Sequence, residues 1–142
     1  MNKGDKDIWR ESDYDDKDWG VVNLPMINKK NNELNVNEQM IWYRKKIFIP
    51  EDYKGKDIEL PFGEIWEVDE VYFNGEHIGG QGEFPPTNEG PNYESFWCYD
   101  RYYEVPSELI NYGDNNVIAI RVYSKFKNNG PVDNKLNFIQ VR

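Results

Sequence analysis

The chain has 142 residues, 38% hydrophobic and 15% aromatic, with a formal net charge of −9. That length fits one domain with one sizeable core, and ten Tyr, seven Phe and five Trp exclude the aromatic-poor composition of a disordered chain. The acidic field disfavours nucleic acid and anionic membrane surfaces as partners, and no run of about 18 apolar residues is present to span a bilayer.

Residues 1–8 are polar and are expected to fray, so the core is expected to begin near residue 9 and run to 142 as a single domain. The segment from Trp9 to Trp19 is rich in Asp, and Asp13 or Asp15 is placed to cap one short helical turn that carries Trp19 inward. Residues 21–25 read as a strand and 28–38 as a solvated loop rich in Asn and charge. Met40–Ile49 has the β-branched and aromatic density of a strand, stopped by Pro50. Alternation puts Ile41, Tyr43, Lys45, Ile47 and Ile49 on one face and Trp42, Arg44, Lys46 and Phe48 on the other. Two mixed faces are expected of a strand near a sheet edge or under a covering loop.

Lys56–Phe62 alternates with Ile58, Leu60 and Phe62 inward, and Pro61 predicts an irregular end. Residues 67–73 and 76–79 flank Asn74-Gly75, the dipeptide preferred at a type I′ turn because both positions need positive φ. Residues 79–98 read as a long loop with three prolines, 99–105 as a strand ended by Pro106, and Ser107 as the cap of a short turn. Asn116–Tyr123 is the most strand-like stretch of the chain, and residues 136–141 close the count. Seven or eight strands at turn-punctuated spacing, without a helical pattern of 10 residues, predict an all-β antiparallel sandwich or barrel.

Catalytic chemistry is poorly supplied. Ser12, Ser95, Ser107 and Ser124 lie in no nucleophile elbow, and His77 falls on the hairpin as an exposed strand residue. One His and one Cys (Cys98) make no zinc site or internal disulfide. No cofactor is expected; Asp13, Asp15 and Asp16 are weak calcium candidates on ligand supply alone. The aromatics are the better lead, because sugar C–H faces stack on rings while hydroxyls seek Asp, Glu and Arg. Trp66, Trp97, Tyr99, Asp100, Arg101 and Tyr102 are the candidate carbohydrate contacts. The competing expectation is that most of these rings belong to the core.

Taken together, Asp13 to Pro25, Trp42 to Pro50 (WYRKKIFIP), Val68 to Gly79 (VDEVYFNGEHIG), Phe84-Pro85-Pro86, Arg101 to Pro106 (RYYEVP) and Gly113 to Tyr123 carry a pattern. It resembles the sugar-binding domain of glycoside hydrolase family 2, in a variant similar to domains of sialate O-acetylesterase-like hydrolases and of some bacterial sensor proteins. The resemblance implies a jelly-roll, galactose-binding-like β-sandwich. It implies a non-catalytic accessory domain with a possible glycan ligand, beside a catalytic domain in a larger hydrolase. The alternatives are an extracytoplasmic sensing domain beside a transmembrane segment, or a structural module with no ligand. The compartment is left open by the sequence.

Overall fold

The computed structural model describes residues 2–21, 39–65, 68–84, 100–124 and 140–141. Among these lie eight strands: β1 (Asn2–Lys3), β2 (Gln39–Ile49), β3 (Ile58–Glu64), β4 (Val68–Phe73), β5 (Glu76–Gln81), β6 (Asp100–Val105), β7 (Asp114–Ser124) and β8 (Gln140–Val141). The only helical pieces among the described residues are 3₁₀ turns at Asp7–Arg10, Glu51–Tyr53 and Ser107–Leu109. No helix among them is long and apolar enough to cross a membrane.

The strands pair antiparallel into a five-stranded sheet, β1-β2-β7-β4-β5, and a three-stranded sheet, β6-β3-β8. The fold is an antiparallel β-sandwich of the jelly-roll class. Strand β7 lies between β2 and β4 in the larger sheet and is covered on both faces, Ile118, Ile120 and Val122 by the core between the sheets and Ala119 by an aromatic cluster on the other side.

The core between the sheets is built by the alternation read from the sequence. Ile41, Tyr43 and Ile49 of β2 meet Ile58, Leu60 and Phe62 of β3, with Val71 and Phe73 of β4 and Ile118, Ile120 and Val122 of β7. Each such side chain contributes about 1.5–3 kcal/mol on full burial. The register slips between Pro61 and Gly63, so the irregularity expected at Pro61 is a β-bulge. Among the described residues β8 pairs only with Ile58 and Glu59, so Pro61 faces a ladder partner on the β6 side alone and its missing N–H is tolerated.

Asn74 and Gly75 have φ of 48° and 91°, as a type I′ turn requires, and join β4 to β5. The Asn74 side chain also does what glycine cannot. Its Nδ2 donates to Leu109 O and to Asn116 Oδ1, both at 2.8 Å, and its Oδ1 accepts from Val117 N at 2.8 Å. Buried Asn116 in turn donates to Asn111 O (2.9 Å) and Asp114 O (3.2 Å). The hairpin is thereby latched to the start of β7.

Three expectations are corrected. Residues 2–8 do not fray: Asn2 and Lys3 pair with Trp42 and Ile41, and Gly4 N donates to Met40 O at 3.0 Å. The helical turn lies at Asp7–Arg10, before the Asp-rich stretch, where Asp15 Oδ1 instead accepts from Lys17 N at 3.2 Å in a tight turn. Ser107 starts a 3₁₀ turn without a side-chain cap, because Pro106 holds the capping position. The strand expected at 21–25, the loop at 28–38, most of the loop at 79–98 and most of the strand at 136–141 lie outside the described residues.

Candidate functional site

Part of the outer face of the larger sheet is covered. Residues 5–19 cross it as a strap whose aromatic side chains form a second cluster: Trp9, Trp42, Tyr72 and Ala119 are buried, with Tyr14 and Trp19 packed against them. Trp9 meets Trp19 edge-on at 5.3 Å and Trp42 at 6.3 Å, and Trp42 stacks on Tyr72 at 5.6 Å and 22°.

Arg44 holds the strap. Its side chain is 1% exposed, donating through Nε to Asp16 at 2.9 Å and through its guanidinium to the carbonyls of Trp9 (2.5 Å), Glu11 (2.9 Å) and Tyr14 (3.4 Å). A lysine, with one point charge, does not match this planar fork.

The register lays a polar row across the same face. Trp42 of β2 lies opposite Arg121 of β7, and Arg121 lies opposite Glu70 of β4. Asp5 on the strap accepts from Arg121 Nε (2.9 Å) and Nη2 (2.5 Å) and from Trp42 Nε1 (3.1 Å). Glu70 Oε2 accepts from Arg121 Nη1 at 3.1 Å and from the Tyr72 hydroxyl at 2.8 Å. Partial burial acts to lower the Arg121 pKa, but the bonds from Asp5 and Glu70 prevail and hold it above its ordinary value. The Tyr72 phenol is pushed up by burial and by Glu70. Asp5, Asp7, Trp42, Tyr72 and Arg121 line a cleft of about 270 Å³. Phe84 lies 4.3 Å from the Arg121 guanidinium, and His77, exposed on β5, packs edge-on to Tyr72 at 5.4 Å.

The residues singled out in the sequence are divided by β6. Asp100 and Tyr102 are exposed on the outer face of the smaller sheet, with the Tyr102 hydroxyl 3.2 Å from Asp100 Oδ2. Arg101 points the other way, into the interior. It is 2% exposed and donates through Nε to Asp69 at 3.0 Å, and Asp69 also accepts from the Tyr103 hydroxyl. Arg101 therefore joins the two sheets instead of standing beside Asp100 and Tyr102, because alternation puts neighbours on opposite faces. Burial pushes the Asp69 carboxyl up, against the opposing pull of Tyr103 and Arg101. Burial and the Asp69 charge raise the Tyr103 phenol. Gly79 lies where an added Cβ would run into the Tyr103 ring, so glycine is required for β5 to approach it. Trp66, Trp97 and Tyr99 lie outside the described residues.

Of the calcium candidates, Asp13 is exposed, Asp15 pairs with Lys17 and Asp16 with Arg44. Among the described residues no three of His, Cys, Asp and Glu are grouped to hold a metal ion. The Asp5–Arg121–Glu70 row was missed in the sequence because its members are far apart; the signal that could have found it is Arg121, a charge inside the most apolar strand.

The chain is similar to part of a β-galactosidase. Over 119 residues it is 31% identical to that enzyme of Thermoanaerobacter pseudethanolicus, spanning 80% of this chain and 14% of the enzyme. It is 30% identical over 83 residues to a β-glucuronidase of Formosa agariphila, spanning 58% of this chain and 7% of that protein. Among solved structures, the β-glucuronidase of Ruminococcus gnavus aligns at a TM-score of 0.44 and 22% identity, over 61% of this chain and 12% of that one. No family model matches the chain. The chain thus corresponds to a small part of the curated relatives it matches.

Proposed function

We propose that this chain is a non-catalytic, carbohydrate-binding-like accessory domain of a larger hydrolase of the glycoside hydrolase family 2 type. The observation that carries the reading is the asymmetry of the match: 80% of this chain corresponds to 14% of a β-galactosidase. A fragment of that proportion has the size of one sandwich domain within a multidomain enzyme. The chemistry of the described residues supports the same reading. Arg44 and Arg121 on the outer face are engaged in holding the strap to the sheet, and His77 rests against a tyrosine ring. Nucleophile and base are not brought together there, as hydrolysis requires.

The test is a glycan-array screen of the purified chain, with hits titrated by intrinsic tryptophan fluorescence, beside an assay of chromogenic glycosides and acetyl esters. Saturable glycan binding without turnover is the expected result. Turnover by the chain alone would sink the accessory reading, and an array without hits would sink its carbohydrate-binding half.

A further inference from the structure

The cleft on the outer face of the larger sheet lies away from Asp100 and Tyr102, the candidate contacts described on the smaller sheet. It is lined by Asp5 and Asp7 of the strap, by the Arg121 guanidinium and by the edges of the mutually stacked Trp42 and Tyr72. We propose that this cleft binds one neutral, hydroxyl-rich ring of monosaccharide size, an inference that rests on the carbohydrate reading above and places its site.

Three features select that class of ligand. The first is size: about 270 Å³ falls below the ~300–1,000 Å³ of pockets for drug-sized ligands. That is room for one small ring. The second is charge. Asp5, Asp7 and Glu70 set three carboxylates against two arginines: Arg121, whose fork is already turned toward Asp5 and Glu70, and Arg10, which pairs with Asp7. An anionic ligand meets net repulsion there, whereas a hydroxyl donates to a carboxylate and accepts from an N–H at once.

The third is rigidity. Arg121 is gripped by Asp5 on one side and Glu70 on the other, and Asp5 is fixed by Trp42 Nε1, so the polar wall is set before any ligand arrives. A prearranged wall loses little entropy on binding. Asp7, whose side chain is 78% exposed and 3.3 Å from Arg10 Nε, is the carboxylate placed to meet a hydroxyl in the cleft.

The test uses the full 142-residue chain, isotopically labelled, with methyl β-D-galactopyranoside as the neutral probe and methyl β-D-glucuronide as its anionic counterpart. The expected result is a saturable shift of the Trp42 indole Nε1–H and the Arg121 Nε–H signals by the neutral probe. Asp7→Asn, which loses the Asp7–Arg10 ion pair but keeps the Asp5–Arg121 and Asp16–Arg44 bonds that tie the strap to the sheet, should raise Kd by about tenfold. Tighter binding of the glucuronide overturns the neutral class. Array binding whose shifts fall on Asp100 and Tyr102, with the Trp42 and Arg121 signals unmoved, overturns the cleft and leaves the carbohydrate reading intact. Silence of both probes here, with array hits elsewhere, also overturns the cleft; silence in both experiments overturns the cleft and the carbohydrate reading together.

Discussion

Arg101 and Asp69 show how a residue's surroundings decide its role. Both side chains are at most 1% exposed, and they pair between the two sheets with Tyr103 donating to the same carboxylate. Removing one member of a buried pair leaves the other charge unpaired in a low-dielectric interior, a loss of about 3–5 kcal/mol. Arg101→Ala should therefore lower unfolding free energy in urea by that amount. Adding Asp69→Ala should cost much less than a second such loss, because the orphaned charge goes with it. Additive losses would show that the pair is not the unit described. Asn116 is the neutral counterpart: Asn116→Ala removes the acceptor of one Asn74 amide hydrogen and of the Asn111 N–H, both part-buried, and should cost about 1 kcal/mol.

At the scale of the element, the strap over the larger sheet depends on two arginines from different strands, Arg44 of β2 and Arg121 of β7. Arg44→Ala should release residues 5–19 ahead of the rest, seen as early proteolytic cleavage near Trp9–Trp19 while the β2–β7 ladder keeps its amide protection. Arg44→Lys should restore the fastening only in part, since one ammonium cannot bond Asp16 and three carbonyls in the geometry seen. Equal protection in Arg44→Ala and the native chain would mean that the aromatic cluster alone fixes the strap. The element scale also shows where sequence patterning was legible. The β2 alternation and the Asn74-Gly75 hairpin were readable because period and turn chemistry are local. The strap was not, because its polar residues are fixed by partners 28 to 116 positions away.

For the whole molecule, three tyrosines tie stability to alkaline pH. Burial raises the phenols of Tyr43, Tyr72 and Tyr103 above the ordinary tyrosine value of 10.0, most directly for Tyr43, where burial is the sole cause. The folded state then keeps protons that the unfolded chain releases. Their contribution is complete below pH 10 and is lost as pH rises from there toward the raised values. The slope should approach 1.4 kcal/mol per pH unit for each tyrosine that stays protonated. Urea midpoints between pH 9 and 12 should fall, and Tyr43→Phe should flatten the slope by one tyrosine's share. A slope unchanged in Tyr43→Phe would show that this phenol ionises without unfolding.

The sequence by itself determined the class of architecture, the alternation of β2, β3 and β7, the inward face of β3, the hairpin and an irregularity near Pro61. Each follows from residues adjacent in the chain, through alternation, φ preference or a missing N–H. The tertiary structure decided which polar residues meet. Arg101 turned inward to Asp69, Asp5 crossed to Arg121, and Arg44 gathered carbonyls from the strap. In a chain where 30% of residues are charged, pairings of this kind have many possible partners. Only the packing of two sheets and the path of the strap select among them, because a buried charge is tolerated only where the fold delivers its counterpart.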